Sequence, residues 1–387
     1  PPVLTASASR VRYLSRLNTL PAPSPVNASP SLLRAPPHDS ESLWLAKPLT
    51  YDSFIHYNLP VYPGALGLMP TLFDPLKVGN IQLDNRIIMA PMTRSRADDE
   101  GVQPEYAATY YGQRASAGLI ITEATNVSPM AKGYVRTPGI YTNAQIESWR
   151  SVTQSAHARG GKIFMQIFHT GRIALPDFLP GNAQPVAPSA VRANGRNYTD
   201  EGMKEFVTPR EITREEILQT VKDFANAASN AITAGFDGVE LHSASGYLVQ
   251  QFLTTNVNLR TDEYGGSIEN RTRFLFQVLD AMLSEIGSQR LGVKFSPQIA
   301  FNDIEERDAD EVYPYILKHL SEKQLAYVHV ADGTGSALKV APTLQWRLFR
   351  KRGLHSSEWR GAVSARRRRR DRIRHQIPGE PRSSGKI

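Results

Sequence analysis

Two kinds of apolar patterning alternate through the middle of this 387-residue chain. Short aliphatic runs recur at Ile87–Met89, Leu119–Thr122, Lys162–Gln166, Gly238–Leu241, Gly292–Phe295 and Tyr327–Val330. Each has the length and near-continuous apolarity of a strand buried on both faces. Helical periodicity fills the intervals. The clearest stretch starts at Thr213, with Glu216 three residues on as a capping box. Ile217, Val221, Phe224, Ala228 and Ile232 then form one apolar face, and Gly235 is placed to end the helix. Repeated strand–helix units of this polarity predict a parallel α/β architecture. Six units are visible and a (β/α)8 TIM barrel needs eight. The pattern therefore predicts an incomplete barrel that lacks strands 7 and 8 and leaves the edges of its first and sixth strands unpaired.

The flanks differ from this middle section. Residues 1–69 hold 11 of the 27 prolines and almost no periodic apolar positions, so they bury too little to offset their ordering entropy and read as a disordered extension. The first forty residues are Arg- and Ser-containing and acid-poor, a composition compatible with an organelle transit peptide. Met69, just before Pro70-Thr71-Leu72-Phe73-Asp74-Pro75, is the favoured alternative as a natural start, with a cytoplasmic product. Residues 336–387 lose the strand–helix pattern and form an irregular basic tail. The expected divisions are thus 1–69, 70–335 and 336–387.

The net charge of +8 belongs to the tail: residues 336–387 carry +12, residues 1–69 carry +2, and residues 70–335 carry −6. Arg366 to Arg370 is an unbroken basic block, for which nucleic-acid binding is the usual alternative reading. The acidic middle section excludes that reading for the chain as a whole. No run approaches the roughly 18 apolar residues of a membrane span. With no cysteine, disulfides and thiolate metal sites are excluded, and no metal site is expected.

Candidate chemistry collects at the ends of the predicted strands, where α/β barrels keep their active sites. The fourth run ends Gly238-Val239-Glu240-Leu241-His242-Ser243-Ala244-Ser245-Gly246-Tyr247-Leu248, followed by Arg260-Thr261-Asp262-Glu263-Tyr264-Gly265-Gly266-Ser267. Read alone, His242 fits a satisfied core histidine as well as a catalytic one. Tyr134 and Tyr141 read alone as packing. Pro91 and Thr93 read alone as a strand end and a turn cap. Asp262, Glu263 and Arg271 fit a structural ion-pair network.

Taken together, these motifs resemble the Old Yellow Enzyme family of flavin-dependent ene reductases. The resemblance covers about 70–335 and implies non-covalent FMN, NADPH or NADH as reductant, and a small-molecule enone as substrate. It assigns Ala90, Pro91, Met92, Thr93, Ala124, Gln166, His242 and Lys294 to flavin contact, the lysine standing where the family usually has arginine. Tyr134 and Tyr141 match walls of the substrate cavity. His242 matches the first of two donors that hold the substrate carbonyl. Ser245 stands at the second, where Asn or His is usual. Tyr247 matches the general acid, because a phenol with a reference pKa of about 10 keeps its proton at neutral pH. His169 fits a structural role equally well.

The family grips the FMN phosphate with loops after strands 7 and 8, and residues 336–387 supply no such loop. Codons consistent with Arg366 to Ile387, read one nucleotide later, can spell a string resembling the family's last barrel strand. The tail therefore reads as a reading-frame slip placed near Gly335, and the chain as written is expected to be inactive or poorly folded. A flavin-free barrel fragment acting as a binding module is the alternative.

Overall fold

The computed structural model describes residues 71–331 in full and the backbone of 55–56 and 348–351. The frame boundary near Gly335, the divisions at 69/70 and 335/336, and the Arg366–Arg370 block lie outside the described residues.

Seven parallel strands follow one another around a single sheet in chain order: β1 (Ile88–Met89), β2 (Leu119–Ile121), β3 (Ile163–Phe168), β4 (Gly238–Ser243), β5 (Leu291–Phe295), β6 (Tyr327–Ala331) and β7 (Leu348–Lys351). The helices between them are α1 (Tyr106–Gly112), α2 (Asn143–His157), α3 (Arg214–Thr233), α4 (Leu248–Leu253), α5 (Ile268–Ile286) and α6 (Ala309–Lys323). All six sequence-predicted strands are present, with ends shifted by a few residues. The capping box is also present: Glu216 N–H donates to Thr213 Oγ1 at 3.2 Å, and Thr213 N–H donates to Glu216 Oε2 at 2.9 Å. Its buried stripe runs Ile217, Thr220, Phe224, Ala227, Ala228 and Ala231, so Ala231 rather than Ile232 is its last buried member. Gly235 leaves the helix at φ +92°.

The flanks depart from expectation at two places. Leu348–Lys351, inside the tail expected to be irregular, pairs in parallel with β6 in the register Val328↔Leu348 to Ala331↔Lys351. A seventh strand is therefore present, and β6 is not an unpaired edge. Ile55–His56, inside the extension expected to be disordered, pairs antiparallel with β7. The physical reason is the same for both. An open sheet edge offers unpaired N–H and C=O groups, and bonding to them needs an extended backbone rather than an apolar run. Among the described residues, β1 and Ile55–His56 end the path.

Strand alternation sorts the side chains into two environments. Ile163, Met165, Ile167, Val239, Leu241, Leu291, Val293, Val328 and Val330 face the helices in one large apolar cluster. The opposite set, Phe164, Gln166, Gly238, Glu240, His242, Gly292, Lys294, Tyr327 and His329, faces the interior. At the amino-terminal end, Phe164 and Tyr327 lie 5.7 Å apart between ring centroids. They pack against Leu76, Val78 and Leu83 of an antiparallel hairpin that plugs the sheet there. Glycine makes room for both rings. A Cβ on Gly238 would stand 2.5 Å from Phe164 Cε2, and one on Gly292 would stand 2.5 Å from Tyr327 Cε2. Above this apolar plug the interior turns polar, and that change of character positions the site.

Candidate active site

The lowest polar layer is built on Glu240. In-register neighbours on β3 and β4 put Gln166 beside it, and Gln166 Nε2 donates to Glu240 Oε1 at 2.7 Å. His329, from β6, contacts the other carboxylate oxygen at 3.0 Å through Nδ1. Glu240 and His329 are fully buried, and Gln166 nearly so. Burial alone would raise the Glu240 pKa. The charge and hydrogen bond of His329, the Lys294 charge and the Gln166 hydrogen bond outweigh it, and the carboxyl is held below its ordinary value. An ionised carboxylate only accepts, so Gln166 must turn its NH₂ toward Glu240. Its carbonyl oxygen and second N–H are left for another partner.

One step toward the carboxyl-terminal rim, His242 pairs in register with Lys294, which pairs with His329. Burial first, then the charges of Lys294 and His329, push His242 well below its usual pKa. It is a neutral imidazole, and its buried Nδ1 has no hydrogen-bond partner among the described residues. Phe168 stacks on the His242 ring at 6.1 Å. Tyr247 meets it edge-on at 4.9 Å. The Tyr247 phenol lies 3.0 Å from that of Tyr134. Burial, then the Tyr134 phenol, raise Tyr247 well above the ordinary phenol value, so it carries its proton at any working pH. Ser245 sits at φ +58°, the left-handed region that a serine rarely adopts. Its N–H donates to Ser296 Oγ at 2.9 Å.

The structure brings Gln166, His242, Lys294, Tyr134 and Tyr247 together. The Ala90–Thr93 tract follows β1, with Ala90 buried, Pro91 and Met92 half-buried and Thr93 exposed; Ala124, beyond β2, is buried. Tyr141 N–H donates to Gln145 Oε1 at 2.8 Å at the cap of α2, and burial raises its phenol above the ordinary value. His169 is buried and pushed down to about 3 by desolvation, and its Nδ1 accepts from Gly171 N–H at 3.0 Å, which is a structural arrangement. The expected Asp262–Glu263–Arg271 network is partitioned otherwise. Asp262 pairs with Arg260, Glu263 with Arg214, and Arg271 with Asp308.

Two carboxylates escaped the sequence reading. Glu240 is one. Glu123 is the other: buried, raised by desolvation, and accepting from Arg94 N–H and Gln103 Nε2, each at 2.8 Å. It thereby ties down the chain just past Thr93. The signal for both was an acidic residue inside or directly after an apolar strand, where a charge must be paired to be tolerated.

A parallel α/β sheet with an apolar plug below and a neutral imidazole, a protonated phenol pair, an oriented amide and a lysine above defines a barrel enzyme with its site at the carboxyl-terminal rim. Residues 71–345 match the model of the NADH:flavin oxidoreductase / NADH oxidase family, and the chain belongs to that family, in its Old Yellow Enzyme branch. It is 42% identical over 277 residues to 12-oxophytodienoate reductase 1 of Oryza sativa subsp. japonica, covering 71% of each chain. It is 44% identical over 267 residues to a probable flavin mononucleotide-dependent alkene reductase of Leishmania infantum, covering 68% of this chain and 73% of that one. Among solved structures, the Old Yellow Enzyme homologue from Zymomonas mobilis superposes with a TM-score of 0.73 at 36% identity, over 76% of this chain and 86% of that one. Morphinone reductase in complex with tetrahydroNAD superposes with a TM-score of 0.71 at 40% identity, over 78% and 84%. The family's cofactor is FMN, with NADH or NADPH as reductant.

The residues present fit that cofactor's ring. Among the described residues, Gln166 side-chain bonding uses only one N–H, toward Glu240, leaving an acceptor and a donor that match a ring edge carrying both N–H and C=O groups. Lys294 brings a cation to the same level, and Thr93 leaves a hydroxyl exposed at the rim. The loops after strands 7 and 8, to which the family resemblance assigns the phosphate, lie outside the described residues. Among the described residues, no helix is long and apolar enough to cross a membrane.

Proposed function

We propose that the chain reduces the activated C=C bond of α,β-unsaturated carbonyl compounds at the expense of NADPH or NADH, with Gln166, Lys294, Thr93 and the Ala90–Met92 and Ala124 backbone holding FMN. The observation that carries this reading is the pairing of the unpartnered, buried His242 Nδ1 with the protonated Tyr247 phenol on one face of the site. Bound FMN would supply the hydride.

The protein's own part is division of labour between a hydrogen-bond donor and an acid. A neutral imidazole that donates through one ring nitrogen, with Ser245 beside it, polarises a carbonyl oxygen as developing negative charge requires. Tyr247 gives its proton to the carbon next to that carbonyl. Tyr134 walls the cavity and supports the Tyr247 hydroxyl. Lys294 offsets negative charge at the ring edge held by Gln166, as a point charge without the planar fork of an arginine.

The opposite reading, a flavin-free barrel acting as a binding module, rests on the expectation from sequence that residues 336–387 supply no phosphate-binding loop. The purified protein decides between them. We expect a stoichiometric visible flavin spectrum that survives gel filtration, and enone-dependent NADPH oxidation. Tyr247→Phe should slow reoxidation by enone by about 10²–10⁴-fold while flavin reduction by NADPH stays within about twofold. Colourless folded protein, or a Tyr247→Phe variant as fast as wild type, overturns the proposal.

A further inference from the structure

Gln166 lies on β3 between Phe164 and Phe168, the inward positions to either side of it. Neither phenyl ring offers its amide a carbonyl or an N–H. The terminal torsion of a glutamine is broad and roughly two-fold. Packing alone therefore leaves the oxygen and nitrogen of this amide nearly interchangeable. Glu240 removes that freedom. Its Oε1 accepts from Gln166 Nε2 at 2.7 Å, and among the described residues this is the one hydrogen bond of the Gln166 side chain.

The carboxylate is itself fixed from the other side. Gln166 belongs to β3 and His329 to β6, with β4 and β5 between them, and Glu240 reaches both. Its Oε2 lies 3.0 Å from His329 Nδ1, so each oxygen has its own donor, and contacts from two other strands hold the carboxyl plane. With Lys294 in register between His329 and His242, the carboxyl stays ionised despite its burial. A carboxylate only accepts. Turned over, the Gln166 amide would set its carbonyl oxygen against Glu240 Oε1, two buried acceptors with no proton between them.

We propose that Glu240 is the positioning residue that keeps Gln166 in the one orientation suited to the polar edge of the flavin ring. The inference rests on the reading that Gln166 holds FMN. Held by Glu240, the amide is left with its carbonyl oxygen and its second N–H, an acceptor and a donor in fixed order. A ring edge that sets N–H beside C=O pairs with that order alone. The reversed amide would meet N–H with N–H and carbonyl with carbonyl. Fixing the order in advance leaves less to be ordered when the cofactor binds.

Titration of the flavin-stripped full chain with FMN, followed by quenching of flavin fluorescence, tests this in a cycle of Glu240→Gln, Gln166→Ala and the double variant. A glutamine at position 240 can offer Gln166 either end of its own amide, so both orientations become available. Glu240→Gln should weaken FMN binding about tenfold, the order of one misplaced hydrogen bond. The same substitution should change Kd by less than about twofold once Gln166 is alanine, because its route to the ring is gone. Isotope-edited infrared spectra should show a ring-carbonyl stretch at higher frequency in Glu240→Gln than in wild type, and no such shift between Gln166→Ala and the double variant. Glu240→Asp, which keeps the charge and draws the acceptor back by one methylene, repeats the cycle should the glutamine variant fail to fold. Unchanged FMN affinity in the position-240 variant, or equal weakening with and without Gln166, overturns the assignment and leaves the carboxylate serving the fold alone. A wild-type chain that binds no FMN, or a Gln166→Ala chain that binds it as tightly as wild type, sinks the underlying reading and this inference with it.

Discussion

Removing the Glu240 carboxylate should destabilise the fold more than any single surface ion pair, by an amount that depends on what replaces it. In Glu240→Ala two buried donors, Gln166 Nε2 and His329 Nδ1, lose the acceptor they bond at 2.7 Å and 3.0 Å. Each stranded donor costs about 1–3 kcal/mol, and breaking a buried charged pair from one side costs about 3–5 kcal/mol in all. Glu240→Gln is milder. Its amide oxygen can still accept from Gln166, and its NH₂ can donate to His329 if the imidazole shifts its proton to Nε2, so about 1–2 kcal/mol is expected. Equilibrium urea unfolding of the three proteins, with equal slopes, reads the difference. The sign of the pH dependence follows from the depressed carboxyl. A group held below its unfolded value of 4.5 contributes stability above that value and loses it as pH falls through the folded value. The carboxyl's contribution to the gap between wild type and Glu240→Gln should therefore shrink as pH falls through its folded value. An alanine variant within about 1 kcal/mol of wild type, or one more stable than the glutamine variant, refutes the view that this carboxylate organises the interior.

Two further predictions concern the parts around it. Gly238→Ala forces a Cβ to 2.5 Å from both Phe164 Cε2 and the Arg290 carbonyl, neither free to yield, so thermal unfolding should show a loss of about 1–3 kcal/mol or more. His169, held down to about 3 by burial, should give the nitrogen shifts of a neutral imidazole at about pH 5. Because its folded pKa lies below the unfolded 6.5, its contribution is present above 6.5 and lost as pH falls toward 3; His169→Asn should flatten the stability profile across that window.

The parallel architecture was legible because buried strands and amphipathic helices write strong periodicities. Val239, Leu241 and their counterparts are apolar for the same reason that they pack on helices. The residues proposed for the flavin side and the acid could be picked out only as a set, through motif resemblance, since a histidine or tyrosine at a strand end has an ordinary structural explanation. Two kinds of feature left no such trace. The strand Leu348–Lys351 is made by hydrogen bonds to an open edge, which ask nothing of side chains. Asn302 reaches the Ser245 carbonyl across 57 positions of sequence, from a segment whose path is set by Arg172.

The interior's change from apolar to polar explains why a buried carboxylate can sit two residues below His242, the proposed carbonyl donor. Gly238, Glu240 and His242 are successive inward positions of β4. The glycine yields its space to Phe164 and Tyr327, which bar water from the amino-terminal end. There Glu240 stays ionised because His329, Lys294 and Gln166 offset its burial, while burial first, and then Lys294 and His329, keep His242 neutral. Exchanging the positions of Glu240 and His242 would place the charge against the substrate and the imidazole against the plug. The carboxylate would then repel the negative charge that develops on the substrate oxygen, and the cation cluster would have no counter-charge. The order along β4 is thus set by electrostatics: the anion lies deep, where it balances Lys294 and His329, and the neutral donor lies at the rim, where charge is to develop.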